Sequence, residues 1–242
     1  MNKIYLSLFT IASLAQGEAL KEVEINIDAW QGESTHSFQA VGDKIDLGEM
    51  GNIEGTSPSI AIDMKAIDKP LNLKLQYTKI DNDDTTIATS NINYNDAVIF
   101  AGQKIKTTYK ADIYDMILYG DIVENKKGWD WDLGLGVRYV DNSFEIRECS
   151  RHSTTDISDI FPMLYTKVEY GFTAVDAYLK GELIYSPINT QHIDGKVALG
   201  YDISDNFDIE AGYRLLKIKP DITKIKSDVV TKGAYLGLGY TF

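Results

Sequence analysis

Apolar and polar residues alternate along most of this chain, from about residue 20 to its last residue. The final stretch shows the pattern, with Ala234, Leu236, Leu238, Tyr240 and Phe242 on every second position. Because successive side chains of a strand point to opposite faces, a period of two predicts strands with one apolar face. We find no convincing helical period after residue 17, so the pattern predicts an all-β chain.

Ten such segments can be counted. The clearest is WDWDLGLGVRYV at 129–140, in which Trp, Leu, Val and Tyr share one face. The segments lie at 23–29, 60–66, 71–78, 114–122, 129–139, 164–172, 175–185, 197–203, 207–215 and 233–242. Residues 97–109 also look extended. We interpret them as a continuation of the fourth segment or as part of the loop before it; as a separate strand they would require another, unrecognised strand.

Short and long connections alternate along the chain. Four are short, at 68–70, 125–128, 172–173 and 204–206, and five are long and polar, at 33–58, 81–96, 141–158, 186–194 and 220–231. Bacterial outer-membrane barrels combine short turns at one end, longer loops at the other and an even strand number. The expected fold is an antiparallel up-and-down transmembrane β-barrel of about 10 strands, within a range of roughly 8 to 12.

A soluble, lipocalin-like barrel is the alternative, with its apolar faces inside. Two features favour the transmembrane form. Bulky residues occupy the apolar faces, whereas glycines stand between charges on the opposite faces, which suits a crowded polar lumen. Aromatic residues also cluster at strand ends, where interfacial girdles would lie, as at Trp129, Tyr170, Phe172 and Tyr240.

The first residues have the three-part pattern of a secretory signal peptide. Lys3 precedes an apolar run from Ile4 to Ala15, and Ala15-Gln16-Gly17 supplies the small residues of a cleavage site. The run is too short to span a bilayer as a helix. We expect residues 1–17 to be removed, cleavage after Ala19 being a less favoured alternative, and residues 18–242 to form one barrel domain.

Composition adds three constraints. The formal net charge of −12 disfavours nucleic acid as a partner. Tyrosine is over-used, with 15 Tyr against 8 Phe and 3 Trp, which suits both strands and a membrane interface. Cys149 is the only cysteine, so an exported chain would have to be stable without an internal disulfide.

The end of the chain resembles the assembly signal of bacterial outer-membrane proteins, in which alternate apolar or aromatic residues lead to a terminal Phe. Leu238, Tyr240 and Phe242 match it. With the WDWDLGLGVRY, LYTKVEYGF and DIEAGYR segments, the chain resembles a proteobacterial family of outer-membrane β-barrel proteins of unassigned function. The resemblance implies a Gram-negative outer-membrane location, contact with outer-membrane lipid, and recognition by the barrel assembly machinery. It implies no catalytic residue.

Many charged residues point into the barrel on this register. A barrel of about ten strands is narrow, so charges inside it must pair or stay hydrated. The expected charge network comprises Asp130, Asp132, Arg138, Lys167, Glu169, Lys180, Glu182, Asp208, Glu210 and Arg214. We favour an ion-pair network that plugs the lumen; the alternative is a thin, cation-favouring pore, since acids outnumber bases.

Candidates for catalysis or metal binding are few, and all three histidines fall in predicted loops. Outer-membrane proteases of the omptin type use an Asp–His pair near the outer rim, and His192 with Asp194 is the local candidate, without an omptin motif. His152 with Cys149 supplies two metal ligands, too few for a site. The acidic stretch Asp81–Asp84 lacks the glycine and distal Glu of a calcium loop.

The sequence therefore predicts a non-enzymatic, monomeric outer-membrane barrel with a narrow or plugged polar lumen and a structural or surface-interaction role. No cofactor or metal is expected. A small passive channel is the alternative function, and an outer-membrane hydrolase is less favoured.

Overall fold

The computed structural model describes residues 20–39, 45–46, 53–66, 71–88, 91–94, 97–125, 128–148, 151–172, 174–187, 192–219, 221–222 and 225–242. The predicted signal peptide, residues 1–17, lies outside these ranges. Within them, no helix is long and apolar enough to cross a membrane.

Ten long antiparallel strands build the described part of the fold. They are β1 (Leu20–Gln39), β2 (Ile53–Ala66), β3 (Asn72–Ile87), β4 (Lys104–Asn125), β5 (Trp129–Glu148), β6 (Arg151–Phe172), β7 (Ala177–Ser186), β8 (His192–Ser204), β9 (Phe207–Ile218) and β10 (Ile225–Thr241). Each strand pairs with the next, and β10 pairs back onto β1 from Glu24↔Thr241 to Gln39↔Lys226. The sheet is therefore closed, which confirms the expected ten-stranded barrel.

The two ends of the barrel differ. We call the end that holds Leu20 and Thr241 the turn end, because its connections are short, and the opposite end the loop end. β4 and β6 have 22 residues each, whereas β7 has 10 and β9 has 12. Since about 10 residues cross the apolar layer of a membrane, the wall formed by β4 to β6 extends well past that layer at the loop end.

The outward face of the turn-end half is an apolar band with aromatic borders. Leu135, in the middle of β5, is 66% exposed. The rings of Trp129 and Tyr170 lie 4.8 Å apart at the turn end, and those of Tyr77 and Tyr114 lie 5.0 Å apart on the other border. This surface is typical of a transmembrane barrel. It excludes the lipocalin-like arrangement, which would bury these faces.

The strands extend further into the predicted loops than expected. Most of 141–158 belongs to β5 and β6, and Asp81–Asp84 lies within β3 rather than in a loop. Residues 104–109 begin β4, as one of the two interpretations predicted, and Ala97–Ile99 forms a short strand paired with Ile92–Tyr94. β7 begins at Ala177 instead of residue 175, because residues 174–176 form the turn.

Candidate functional site

The inside of the barrel is divided into three layers along its axis. A charged cavity opens at the turn end. Two arginines with their carboxylates lie across the middle. An apolar core fills the loop-end half. All three layers are built from inward positions of the strands, because each second side chain of a barrel strand points into the lumen.

We call the charged cavity at the turn end the vestibule. Its volume is about 370 Å³. Its lining contains nine acids and four lysines: Glu22, Glu24, Asp63, Lys65, Lys74, Asp130, Lys167, Glu169, Asp176, Lys180, Glu182, Asp202 and Asp208. Nine negative and four positive charges give this lining a formal charge of −5, which attracts cations and repels anions.

The four lysines of the vestibule are all engaged in ion pairs. The pairs are Lys65–Glu22 at 2.8 Å, Lys167–Asp132 at 2.9 Å, Lys74–Glu182 and Lys180–Glu210. Several inward acids form no ion pair with any described residue, namely Glu24, Asp63, Asp130, Glu169 and Asp208. The vestibule therefore retains an excess of negative charge that its own lysines do not neutralise.

The arginine layer lies across the middle of the barrel: Arg138 from β5 and Arg214 from β9, with Asp115 and Asp194. Arg138 donates through Nε and Nη2 to Asp115 at 2.6 and 2.8 Å, and through Nη2 to Asp194 at 2.8 Å. Arg214 donates through Nε and Nη2 to Asp194 at 2.9 and 2.8 Å. All four residues are at most 4% exposed, so two positive and two negative charges balance inside the lumen.

The apolar core fills the interior between the arginine layer and the loop end. Its buried members include Ile80, Ile105, Ile113, Val140, Phe144, Ile146, Phe161, Ile184, Leu216 and Val229. Trp30 joins the two layers, since its ring lies 5.0 Å from Arg214 Cζ. Buried side chains of the described residues thus lie in the lumen from the arginine layer to the loop end, and none of the four arginine-layer residues lines the vestibule.

The structure places all ten residues of the predicted charge network inside the barrel. Arg138 and Arg214 form the arginine layer, and the other eight lie in or beside the vestibule. The sequence did not predict the mainly apolar core beyond the arginine layer. Phe144 and Ile146 lie outside the ten predicted strands, and the spacing of two between them is the available signal for a strand there.

The histidine–carboxylate pair of a protease is not assembled at His192 and Asp194. His192 lies in β8, is fully buried, and packs on Phe161 with ring centroids 4.0 Å apart. No described residue hydrogen-bonds to its ring nitrogens, and both oxygens of Asp194 are bound by arginines. The prediction that all three histidines lie in loops is wrong, since they lie in strands. His152 is exposed on β6, and Cys149 lies outside the described residues.

The three residues that resemble an assembly signal, Leu238, Tyr240 and Phe242, point outward from the end of the chain. The ring of Tyr240 lies 4.7 Å from that of Phe242 and 5.5 Å from that of Phe207, edge-on in both cases. The Phe242 amide donates to the Val23 carbonyl oxygen at 2.9 Å. The last residue is therefore part of the turn-end aromatic border and is tied to β1.

No protein-family model matches the chain, and no curated protein matches it in sequence. Among solved structures it is similar to the outer membrane protease OmpT from Escherichia coli, at 10% identity over 92% of this chain and 97% of that chain, with a TM-score of 0.68. Neisserial surface protein A aligns at 16% identity over 91% and 97% of the two chains, with a TM-score of 0.41. Because the identity to OmpT is 10%, this similarity supports a shared barrel fold and carries no information about function.

Proposed function

We propose that this chain is a β-barrel protein of a Gram-negative outer membrane, with a closed lumen and a structural or surface-interaction role. The observation that carries the proposal is the filled interior. Arg138 and Arg214 with their carboxylates lie across the barrel, and an apolar core occupies the half beyond them. The exposed apolar band and its aromatic borders support a position in a bilayer.

The outward apolar band supports membrane lipid as a partner of the barrel. We further propose that a signal peptide at residues 1–17 directs export, and that Leu238, Tyr240 and Phe242 are recognised by the barrel assembly machinery during insertion. A monomer suffices, because a closed barrel leaves no unpaired strand edge in lipid. The negative net charge argues against a nucleic-acid partner.

A small cation channel is the second candidate, since the vestibule carries a formal charge of −5. An ion leaving the vestibule would meet two buried guanidinium groups and then the apolar core, both of which oppose a cation. A hydrolase has less support, because Asp194 is bound by both arginines instead of by His192.

Planar-bilayer recording tests the closed lumen. The purified barrel is inserted into a lipid bilayer between salt solutions, with a porin of known conductance as the positive control. We expect no steady single-channel current from the barrel. The shift in gel mobility before and after boiling, measured on the same sample, shows that the protein tested is folded. Steady, cation-selective current from a folded sample would refute the closed lumen and favour the channel.

A further inference from the structure

Three aspartates meet at the turn end of the β4–β5 hairpin. One carboxylate oxygen from each of Asp121, Asp130 and Asp132 lies within 4.8 Å of the other two. Oxygen ligands stand about 2.3–2.6 Å from a bound Ca²⁺, so ligands on opposite sides of the ion are separated by about 5 Å. The three carboxylates therefore lie within the distance limit for ligands of a single ion.

Backbone pairing brings these carboxylates together. Asp121 of β4 stands directly opposite Asp132 of β5, and a register shift follows between Asp121 and Val123. Asn72 on β3 anchors Asp121, because its Nδ2 donates to Asp121 Oδ1 at 3.2 Å. Like charges directly opposite each other on antiparallel strands are destabilising. The arrangement therefore calls for positive charge nearby.

The described residues supply only part of that charge. Lys167 Nζ lies 2.9 Å from Asp132 Oδ2, which sets one cation against three carboxylates. Asp132 is 1% exposed, and its Oδ1 accepts no hydrogen bond from any described residue. Oδ1 of Asp130 is buried and also lacks a donor within the described chain. Buried carboxylate oxygens without a donor or a cation are unfavourable. A bound ion would supply positive charge to both of these oxygens.

We propose that Asp121, Asp130 and Asp132 form a binding site for a divalent cation that prefers oxygen ligands, and that this ion is Ca²⁺. Ca²⁺ accepts irregular carboxylate sets and completes its shell with water. Asp130 also lines the vestibule, so hydrated ions reach the site from the turn end. The excess negative charge of the vestibule raises the local concentration of cations. The site is independent of whether the lumen conducts.

Terbium luminescence tests for the ion. Tb³⁺ replaces Ca²⁺ at oxygen sites, and Trp129 and Trp131 flank Asp130 in the sequence, so excited tryptophan sensitises an ion bound there. The folded barrel in detergent is titrated with Tb³⁺ and then with Ca²⁺ or Mg²⁺ as competitor. We expect saturable emission that Ca²⁺ displaces at lower concentration than Mg²⁺. The absence of saturable emission that Ca²⁺ displaces would overturn the proposal.

Matched variants locate the site. Asp121→Asn and Asp130→Asn each remove one ligand charge, and Asp208→Asn removes a vestibule acid outside the cluster. We expect either cluster variant to weaken Ca²⁺ competition by about tenfold, and the control to weaken it by less than about threefold. Equal weakening in all three variants would indicate diffuse attraction by the vestibule and would overturn the site. Gel mobility before and after boiling shows which variants are folded; if Asp130→Asn does not fold, Asp121→Asn decides the test.

Discussion

Asp194 connects the two arginines of the arginine layer. Both of its oxygens are bound by guanidinium groups that come from β5 and β9. Removing one member of a buried ion network leaves the remaining charges without compensation, which costs far more than losing an exposed pair. Arg147 and Glu145 form such an exposed pair, since the arginine side chain is 62% exposed. We therefore expect the buried arginines that bind Asp194 to contribute more to the free energy of unfolding than the exposed Arg147.

Arg214→Met leaves Asp194 with Arg138 as its remaining cationic partner. We expect the free energy of unfolding to fall by about 3–5 kcal/mol, as for other broken buried pairs. Arg147→Met is the matched control, for which a change of about 1 kcal/mol or less is expected. Urea unfolding in detergent, followed by the fraction of fast-migrating protein on unheated gels, measures both. Similar losses in the two variants would show that the arginine layer contributes no more than a surface pair.

Leu135→Arg tests whether the outward band lies in lipid. Leu135 is in the middle of the band and 66% exposed. An arginine at the midplane of a bilayer costs about 2–4 kcal/mol, and one near the interface costs about 0–1 kcal/mol. Asp141→Arg, on the same face of β5 but beyond the aromatic border, is the control. Folding yield into lipid vesicles should drop for Leu135→Arg alone; equal yields would place the band outside the bilayer.

Along individual strands, the apolar residues change from the outer to the inner face. On β5, Tyr139 ends the exposed apolar row and Val140 begins the buried one. On β9 the same change occurs between Leu215 and Leu216. A strand in lipid carries its apolar residues outside, whereas a strand beyond lipid carries them inside around its own core. The period of two therefore slips by one residue where the strand leaves the bilayer.

This slip explains what the sequence could predict and what it could not. The ten transmembrane segments follow from simple alternation, as do the inward positions of Arg138 and Arg214. At the loop end of β5 and β6, apolar residues occur on both faces of the strand, so the alternation is lost and the sequence predicts a loop at 141–158. No local pattern encodes that Asp194 binds both arginines, because that contact depends on strands facing one another across the lumen. The cluster of Asp121 with Asp132 likewise depends on the hairpin register.

Gly233→Ala tests the seam between β10 and β1. Gly233 is paired with Gly32 across this seam, and a Cβ on Gly233 would overlap the Gln31 carbonyl oxygen, so the backbone would have to move. We expect a loss of about 1–3 kcal/mol in unfolding free energy, as for other overpacked sites. Gly181→Ala on β7 is the control, since a Cβ there meets open space. The temperature at which the fast-migrating gel band disappears measures both; equal temperatures would contradict the crowding at the seam.

The two halves of the barrel carry their apolar residues on opposite faces of the wall. The turn-end half has an apolar exterior and a charged interior, and the loop-end half has an apolar interior. The turn-end half needs lipid to remove its apolar exterior from water. The loop-end half buries its apolar residues in its own core, as a small soluble barrel does. We therefore expect the stability of the loop-end half to depend little on the membrane.

The strands on one side of the barrel are longer than those on the other. β4 to β6 rise as a high wall, while β7 to β9 stop about one bilayer crossing after they begin. A neighbour in the plane of the membrane therefore meets long strands on one side of the barrel and short strands on the other. Rotation about the barrel axis, and not tilt alone, therefore decides which face such a neighbour touches.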